Sequence, residues 1–289
     1  MSKTRAPLEA QRRFYAEFVV RSAGSGDLRL IEAFASVPRE RFCGPGPWPV
    51  FIGSGYVDTP DADPRQLCQD VLIGLAPERR INNGQPSLHA RCLAAAAPQP
   101  GERVVHVGAG TGYYSALLAT LVGEGGEVLA LEREADLAER ARAALAPWPQ
   151  VKVQAASATD STLPRCDLIY VNAGATHPPA AWLDALAIGG RMVLPLTPNE
   201  GFGAMLRIER LAEDTWAARA VMRVAFIPCI GARDDATSAS LVAALERQSL
   251  GEVRSLYRGT PPDDSAWCVG AGWWLSRREP GAADSQRPD

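Results

Sequence analysis

Paired cysteines, an excess of basic residues and long apolar runs are all missing from this chain of 289 residues. Its six cysteines, at 43, 68, 92, 166, 229 and 268, are scattered, so neither a zinc knuckle nor a redox CxxC motif can be built from them. Free, buried thiols are expected. Lys and Arg number 30 against 33 Asp and Glu, a formal charge of −3, which excludes nucleic-acid binding through bulk electrostatics. No run approaches the ~18 apolar residues of a membrane span. The opening stretch MSKTRAPLEAQRRFYAEF is charged where a secretion signal needs an apolar core. A cytoplasmic protein without nucleic-acid or membrane partners is therefore expected. Its 26 glycines and 23 prolines stay below the roughly 25–30% that would point to disorder.

What is present reads as a packed α/β protein. Residues 8–21 place Leu8, Phe14, Tyr15, Phe18 and Val19 among charges, the pattern of an amphipathic helix, and helical character returns over 28–35 up to Pro38. Residues 44–64 are rich in Gly, Pro and Asp, an irregular segment with Trp48, Phe51 and Tyr56 as anchors. Residues 71–73 suggest a short strand, and a polar turn at 79–86 opens a helix over 87–97. From 103 the pattern alternates. Strands are expected at 103–108, 127–132, 151–156, 166–173 and 191–196, with helices at 113–121, 135–145 and 180–186 between them. Apolar strands alternating with helices specify a doubly wound, mostly parallel sheet covered on both faces. Segments 204–211 and 217–230 read as a hairpin completing it.

Residues 104–112, VVHVGAGTG, run a strand into three glycines, Gly108, Gly110 and Gly112, at the mouth of a helix. Such a loop lets a ligand approach the backbone and exposes helix N–H groups to it. Glu132, closing the next strand, stands where a carboxylate can accept from both hydroxyls of a ribose. A dinucleotide fingerprint GxGxxG would need glycine at 113, where this chain has Tyr113; the GxGxG spacing points instead to S-adenosyl-L-methionine.

The run NNGQPSLHARCL (82–93), followed by the glycine motif and then by CDLIYVNAGATHPPAAWLDALAIGGRMVLPL, resembles the protein-L-isoaspartate O-methyltransferase family. VPRERF (37–42) and VAFIPCIG (224–231) are similar to that family's VPRxxF and VxFVPLxG segments, and the resemblance covers roughly 28–232. It implies a Rossmann-like methyltransferase sheet over 81–232, a helical and irregular cap over 1–80 and an extension over 233–289 with a polar tail.

It also implies S-adenosyl-L-methionine as cofactor, surrounded by Gly108, Ala109, Gly110, Thr111 and Gly112, with Glu132 on the ribose and His89 nearby. Asn82, Asn83, Gly84 and Gln85 would close over the methyl group as the catalytic loop. The acceptor it implies is a carboxylate, an isoaspartyl residue or a relative, on a peptide, protein or small molecule. The alternatives are a methyltransferase of the same scaffold acting on a small molecule or modified peptide, or a cofactor-binding module without catalysis.

Three departures from the family pattern matter most. His106 replaces the acid usual two residues before the first glycine. The adenine-side GDG motif has no counterpart in ASATDSTL (156–163), where Asp160 is the candidate substitute and a solvated loop acid the alternative. The serine of the family's TISQP or TISAP loop falls on Gly84. Histidines 106 and 177 read as structural. Beyond the resemblance, a helix over 238–248 and an apolar strand with Trp273 and Trp274 are expected, docking on the core rather than in a dimer interface.

Overall fold

In the computed structural model, which describes residues 7–281, the chain divides into two compact units, one ending at Ala158 and the other beginning at Thr159. The division falls inside the stretch read as a single core, and residues 7–80 pack into the same unit as the glycine loop.

The first unit opens with helices α1 (Leu8–Ser22) and α2 (Leu28–Ser36). Asp27 starts α2 by accepting the Arg29 N–H at 2.8 Å, the stabilising N-cap arrangement. A single 3-10 turn follows at Arg39–Phe42. The segment expected to be irregular holds a small hairpin, β1 (Pro49–Phe51) against β2 (Tyr56–Asp58). Its anchor Trp48 is buried with Cys43, Leu67 and Ile73. Residues 71–73 do not form the expected strand. Ile73 makes one bridge to Val50, and pairing begins with β3 (Gly74–Ala76) against β4 (Ile81–Asn82). Helix α3 (Pro86–Ala96) comes next, with proline in its first turn, where a missing N–H costs nothing.

Strands β5 (Arg103–Val107), β6 (Glu127–Glu132) and β7 (Val151–Ala155) are parallel and adjacent in that order. Helices α4 (Tyr113–Val122) and α5 (Ala135–Ala144) supply the crossovers. The apolar side chains of α4 are nearly all buried, and Tyr113 packs against Phe42 at 5.7 Å between ring centres.

In the second unit β8 (Cys166–Val171) and β9 (Leu186–Leu196) are parallel, joined through α6 (Ala180–Ala185). The Gly189-Gly190 pair before residue 191 lies at an irregularity within β9, which starts at Leu186 rather than at the expected 191. Cys166 pairs with Leu186 but Leu168 pairs with Arg191, so the extra residues, Gly189 at φ +81° among them, bulge out. Antiparallel strands continue the sheet: β10 (Gly203–Arg210) and β11 (Trp216–Val224) form the expected hairpin.

Helix α7 (Asp235–Arg247) starts earlier than the spacing predicts, because Asp234 accepts the Thr237 N–H at 2.7 Å and caps it. The extension then adds three strands, β12 (Ser255–Arg258), β13 (Ala266–Gly270) and β14 (Trp273–Ser276), in the order β11-β12-β14-β13. Trp267, Trp273 and Trp274 are buried within this unit, as a docked extension requires. All six cysteines are free. No helix among the described residues is long and apolar enough to cross a membrane. The end of the polar tail, 282–289, lies outside the described residues.

Candidate functional site

Strand β5 delivers the chain into the glycine loop with Gly108, Gly110 and Gly112 at φ +73°, +57° and +96°, a left-handed run that only glycine adopts without strain. At Gly112 a Cβ would also come within 2.6 Å of Leu145, whereas at Gly110 it would meet only Leu75 at 3.7 Å. The donors of this loop are turned inward. Gly108 and Ala109 both donate to Leu131 O, at 2.9 and 3.1 Å, and Gly112 donates to Ala109 O at 2.9 Å. Thr111 Oγ1 donates to Phe42 O at 2.6 Å, tying the loop to the 3-10 turn. Close approach to the backbone, rather than a row of free N–H groups, is what the loop offers a ligand.

Glu132 completes this clasp. Its Oε2 accepts the Gly110 N–H at 2.7 Å and its Oε1 accepts the Glu134 N–H at 2.9 Å. Burial raises its pKa, and those backbone donors oppose the shift. The sequence placed an acid here for a ribose. The structure shows that the same carboxylate also sets the shape of the loop, each oxygen keeping a further lone pair for a ligand hydroxyl.

His106 and His89 are buried imidazoles. His106 Nδ1 lies 2.7 Å from Ser115 Oγ on α4, and burial pushes its pKa down to about 3. His89, on α3, stacks on Tyr114 with 3.7 Å between ring centres. Its pKa also falls to about 3, through burial first and then the neighbouring His106 and Arg39. Both are neutral at physiological pH.

Loop 82–85 is held from several sides. Asn82 Oδ1 accepts the Gly84 N–H at 2.9 Å, closing a turn in which Gly84 has φ +72°. The Asn82 amide also engages the Tyr56 hydroxyl, which brings the aromatic hairpin β1–β2 against this loop. Gln85 Nε2 donates to Asp70 at 3.0 Å, and Asp70 also accepts the Ser87 N–H at 2.7 Å, capping α3 from outside the helix.

Arg39 lies beneath the loop and is 3% exposed. Its Nε donates to Asn83 Oδ1 at 3.1 Å and one terminal nitrogen donates to Val71 O and Gly84 O, at 2.7 and 3.3 Å. The other donates to Leu67 O and Gln69 O, at 3.4 and 3.0 Å. Neither Arg39 nor Asp70 emerges as a site residue from spacing alone. The available signal was VPRERF, whose arginine now has a task.

The structure thus brings loop 82–85, His89 and their Arg39 support together in the first unit, which also holds the Gly108–Gly112 loop and Glu132. Asp160 belongs to the second unit, where it is exposed and 3.4 Å from the Thr159 hydroxyl.

The family model for protein-L-isoaspartate(D-aspartate) O-methyltransferase matches residues 20–234. The chain is 37% identical over 213 residues to the protein-L-isoaspartate O-methyltransferase of Aeropyrum pernix, covering 70% of this chain and 73% of that one. It is 34% identical over 210 residues to that of Methylorubrum populi, covering 72% and 89%. Among solved structures, a Plasmodium falciparum protein of this kind in complex with S-adenosyl-L-homocysteine shares the fold, with a TM-score of 0.60 at 17% identity, covering 76% of this chain and 98% of that one. On the extent of these matches, the chain belongs to the protein-L-isoaspartate(D-aspartate) O-methyltransferase family of S-adenosylmethionine-dependent methyltransferases.

Proposed function

We propose that the protein is a cytoplasmic carboxyl O-methyltransferase that transfers the methyl group of S-adenosyl-L-methionine to isoaspartyl residues of peptides or proteins. The observation that carries this reading is the family match over 20–234, because it spans both the glycine loop and loop 82–85. Residues 81–232 form the methyltransferase core in this reading, with 1–80 as its cap and 233–289 as an extension.

The residues present suit the cofactor. Gly110, in the left-handed region with only Leu75 near its would-be Cβ, leaves room for close approach, and Glu132 keeps lone pairs for ribose hydroxyls. Gly108 to Gly112 and Glu132 would hold the nucleoside and methionine parts, with His89 beside them. When bound, S-adenosylmethionine supplies a methyl group on a sulfonium, already activated for displacement.

The acceptor class follows from what the protein can do with a proton. An alcohol or amine acceptor needs a base, and two neutral histidines with pKa values near 3 are weak ones. A carboxylate of pKa ~4 is ionised at neutral pH and needs none. What remains for the protein is alignment and exclusion of water, tasks assigned to loop 82–85 and to the aromatic hairpin that leans on it.

The test is incubation with labelled S-adenosylmethionine and an isoaspartyl peptide, expecting a methyl ester released by mild base. A base-stable product would move the acceptor away from carboxylates. Binding of S-adenosylhomocysteine without transfer to any acceptor would leave a cofactor-binding module.

A further inference from the structure

A guanidinium has five N–H donors and no acceptor, and Arg39 commits all five: to Asn83 Oδ1, Leu67 O, Gln69 O, Val71 O and Gly84 O. Nothing is left on Arg39 for a ligand. Because it can only donate, it dictates which end of the Asn83 amide faces it. Asn83 presents Oδ1, so Nδ2 is turned away from the guanidinium. The backbone of Asn83 is also fixed, its N–H donating to Ile73 O at 2.8 Å. All five acceptors around Arg39 are neutral oxygens, while the Asp70 carboxylate spends its bonds on Gln85 and Ser87.

The TISQP loop of the family puts isoleucine where this chain has Asn83 and serine where it has Gly84. An isoleucine could neither accept from Arg39 nor donate to a ligand. Two adjacent departures therefore compensate in chemistry: a hydroxyl is lost and an oriented amide is gained one residue away.

We propose that Asn83 is the acceptor-recognition residue of this site, donating its amide N–H to the acceptor carboxylate, with Arg39 as the positioning residue that fixes the amide's orientation. The inference rests on the carboxyl acceptor argued above.

Asn83→Asp separates this role from a structural one. The aspartate keeps an oxygen for Arg39 Nε, so the loop stays stapled, but it replaces the amide's N–H donors with a second carboxylate oxygen. The KM for an isoaspartyl peptide should rise by roughly tenfold or more, the scale of a lost hydrogen bond to a charged group plus like-charge repulsion. S-adenosylhomocysteine affinity and the urea unfolding midpoint should not fall. Arg39→Lys, which cannot span the same five acceptors, should raise KM in the same direction. An unchanged peptide KM in Asn83→Asp would overturn the assignment. If the unaltered protein transfers nothing to the peptide while still binding S-adenosylhomocysteine, the proposed function fails, and the acceptor named here fails with it.

Discussion

The Nε2 of His89 occupies the space into which a Cβ on Gly84 would project, with Cδ2 only 2.8 Å and the Tyr114 ring 3.4 Å from that point. The two residues are a matched pair. Restoring the family's serine by Gly84→Ser should therefore fail to raise activity and should destabilise the protein. The left-handed backbone alone costs about 1–3 kcal/mol for a non-glycine residue, and displacing the stacked imidazole adds to it. Urea denaturation of Gly84→Ser and of Gly84→Ser/His89→Ala checks this. The double variant should recover the steric part and keep the backbone part, so the two effects should not add. A single variant as stable as the unaltered chain would show that ring and loop yield freely.

The parallel core was legible because its signals are local. Residues 103–107 hold three valines in five positions, and Gly108, Gly110 and Gly112 follow at once, so strand, loop and helix are written consecutively. Glu132 was legible as an acid at a strand end, but its bond to the Gly110 N–H joins residues 22 apart and leaves no periodic trace. Arg39 was harder still, since its acceptors lie 28 to 45 residues away and four of the five are backbone carbonyls, which carry no residue identity. Strands β12 and β13 escaped notice for another reason. They are four and five residues long, and SLYR has its two buried residues side by side rather than in the alternation that marks a half-buried strand.

Glu132 offers the second prediction. Glu132→Ala removes the acceptor of two backbone N–H groups at once, so the glycine loop keeps only its Leu131 ties to β6 and the cofactor loses its ribose contact. Calorimetric affinity for S-adenosylhomocysteine should weaken by roughly 1.5–3 kcal/mol, the range for hydrogen bonds to a charged group. Glu132→Gln keeps one acceptor oxygen and should fall between. Equal affinity in all three proteins would separate Glu132 from the ligand altogether.

The buried histidines set the acid limit. Their folded-state pKa values of about 3 lie below the ordinary 6.5. Below pH 6.5 the unfolded chain thus binds protons that the folded chain refuses. Their stabilisation is present above that pH and lost as pH falls toward 3, with a slope of up to about 1.4 kcal/mol per pH unit for each histidine. Unfolding free energies measured from pH 7 to pH 4 should decline accordingly. His106→Asn, which retains a polar contact for Ser115, should make the decline shallower, and an unchanged slope would place the acid sensitivity elsewhere.

Trp274 tests whether the extension is integral to the second unit. Its ring stacks on Tyr257 with 4.4 Å between centres, and its Nε1 donates to Thr260 O at 3.1 Å. The same residue pairs with Tyr257 on β12 and Val269 on β13, so one side chain sits where three strands meet. Trp274→Ala would open a cavity there and should cost about 3–5 kcal/mol, as for other buried tryptophans. Trp274→Phe keeps an aromatic face for Tyr257 but loses the N–H to Thr260 O, and because Thr260 is exposed the smaller cost is that of one ordinary hydrogen bond, about 0.5–1.5 kcal/mol. Chemical denaturation of both variants should give this order. If Trp274→Ala unfolds at the same urea concentration as the unaltered chain, strands β12 to β14 contribute nothing to the cooperative unit and ride on it as an appendage.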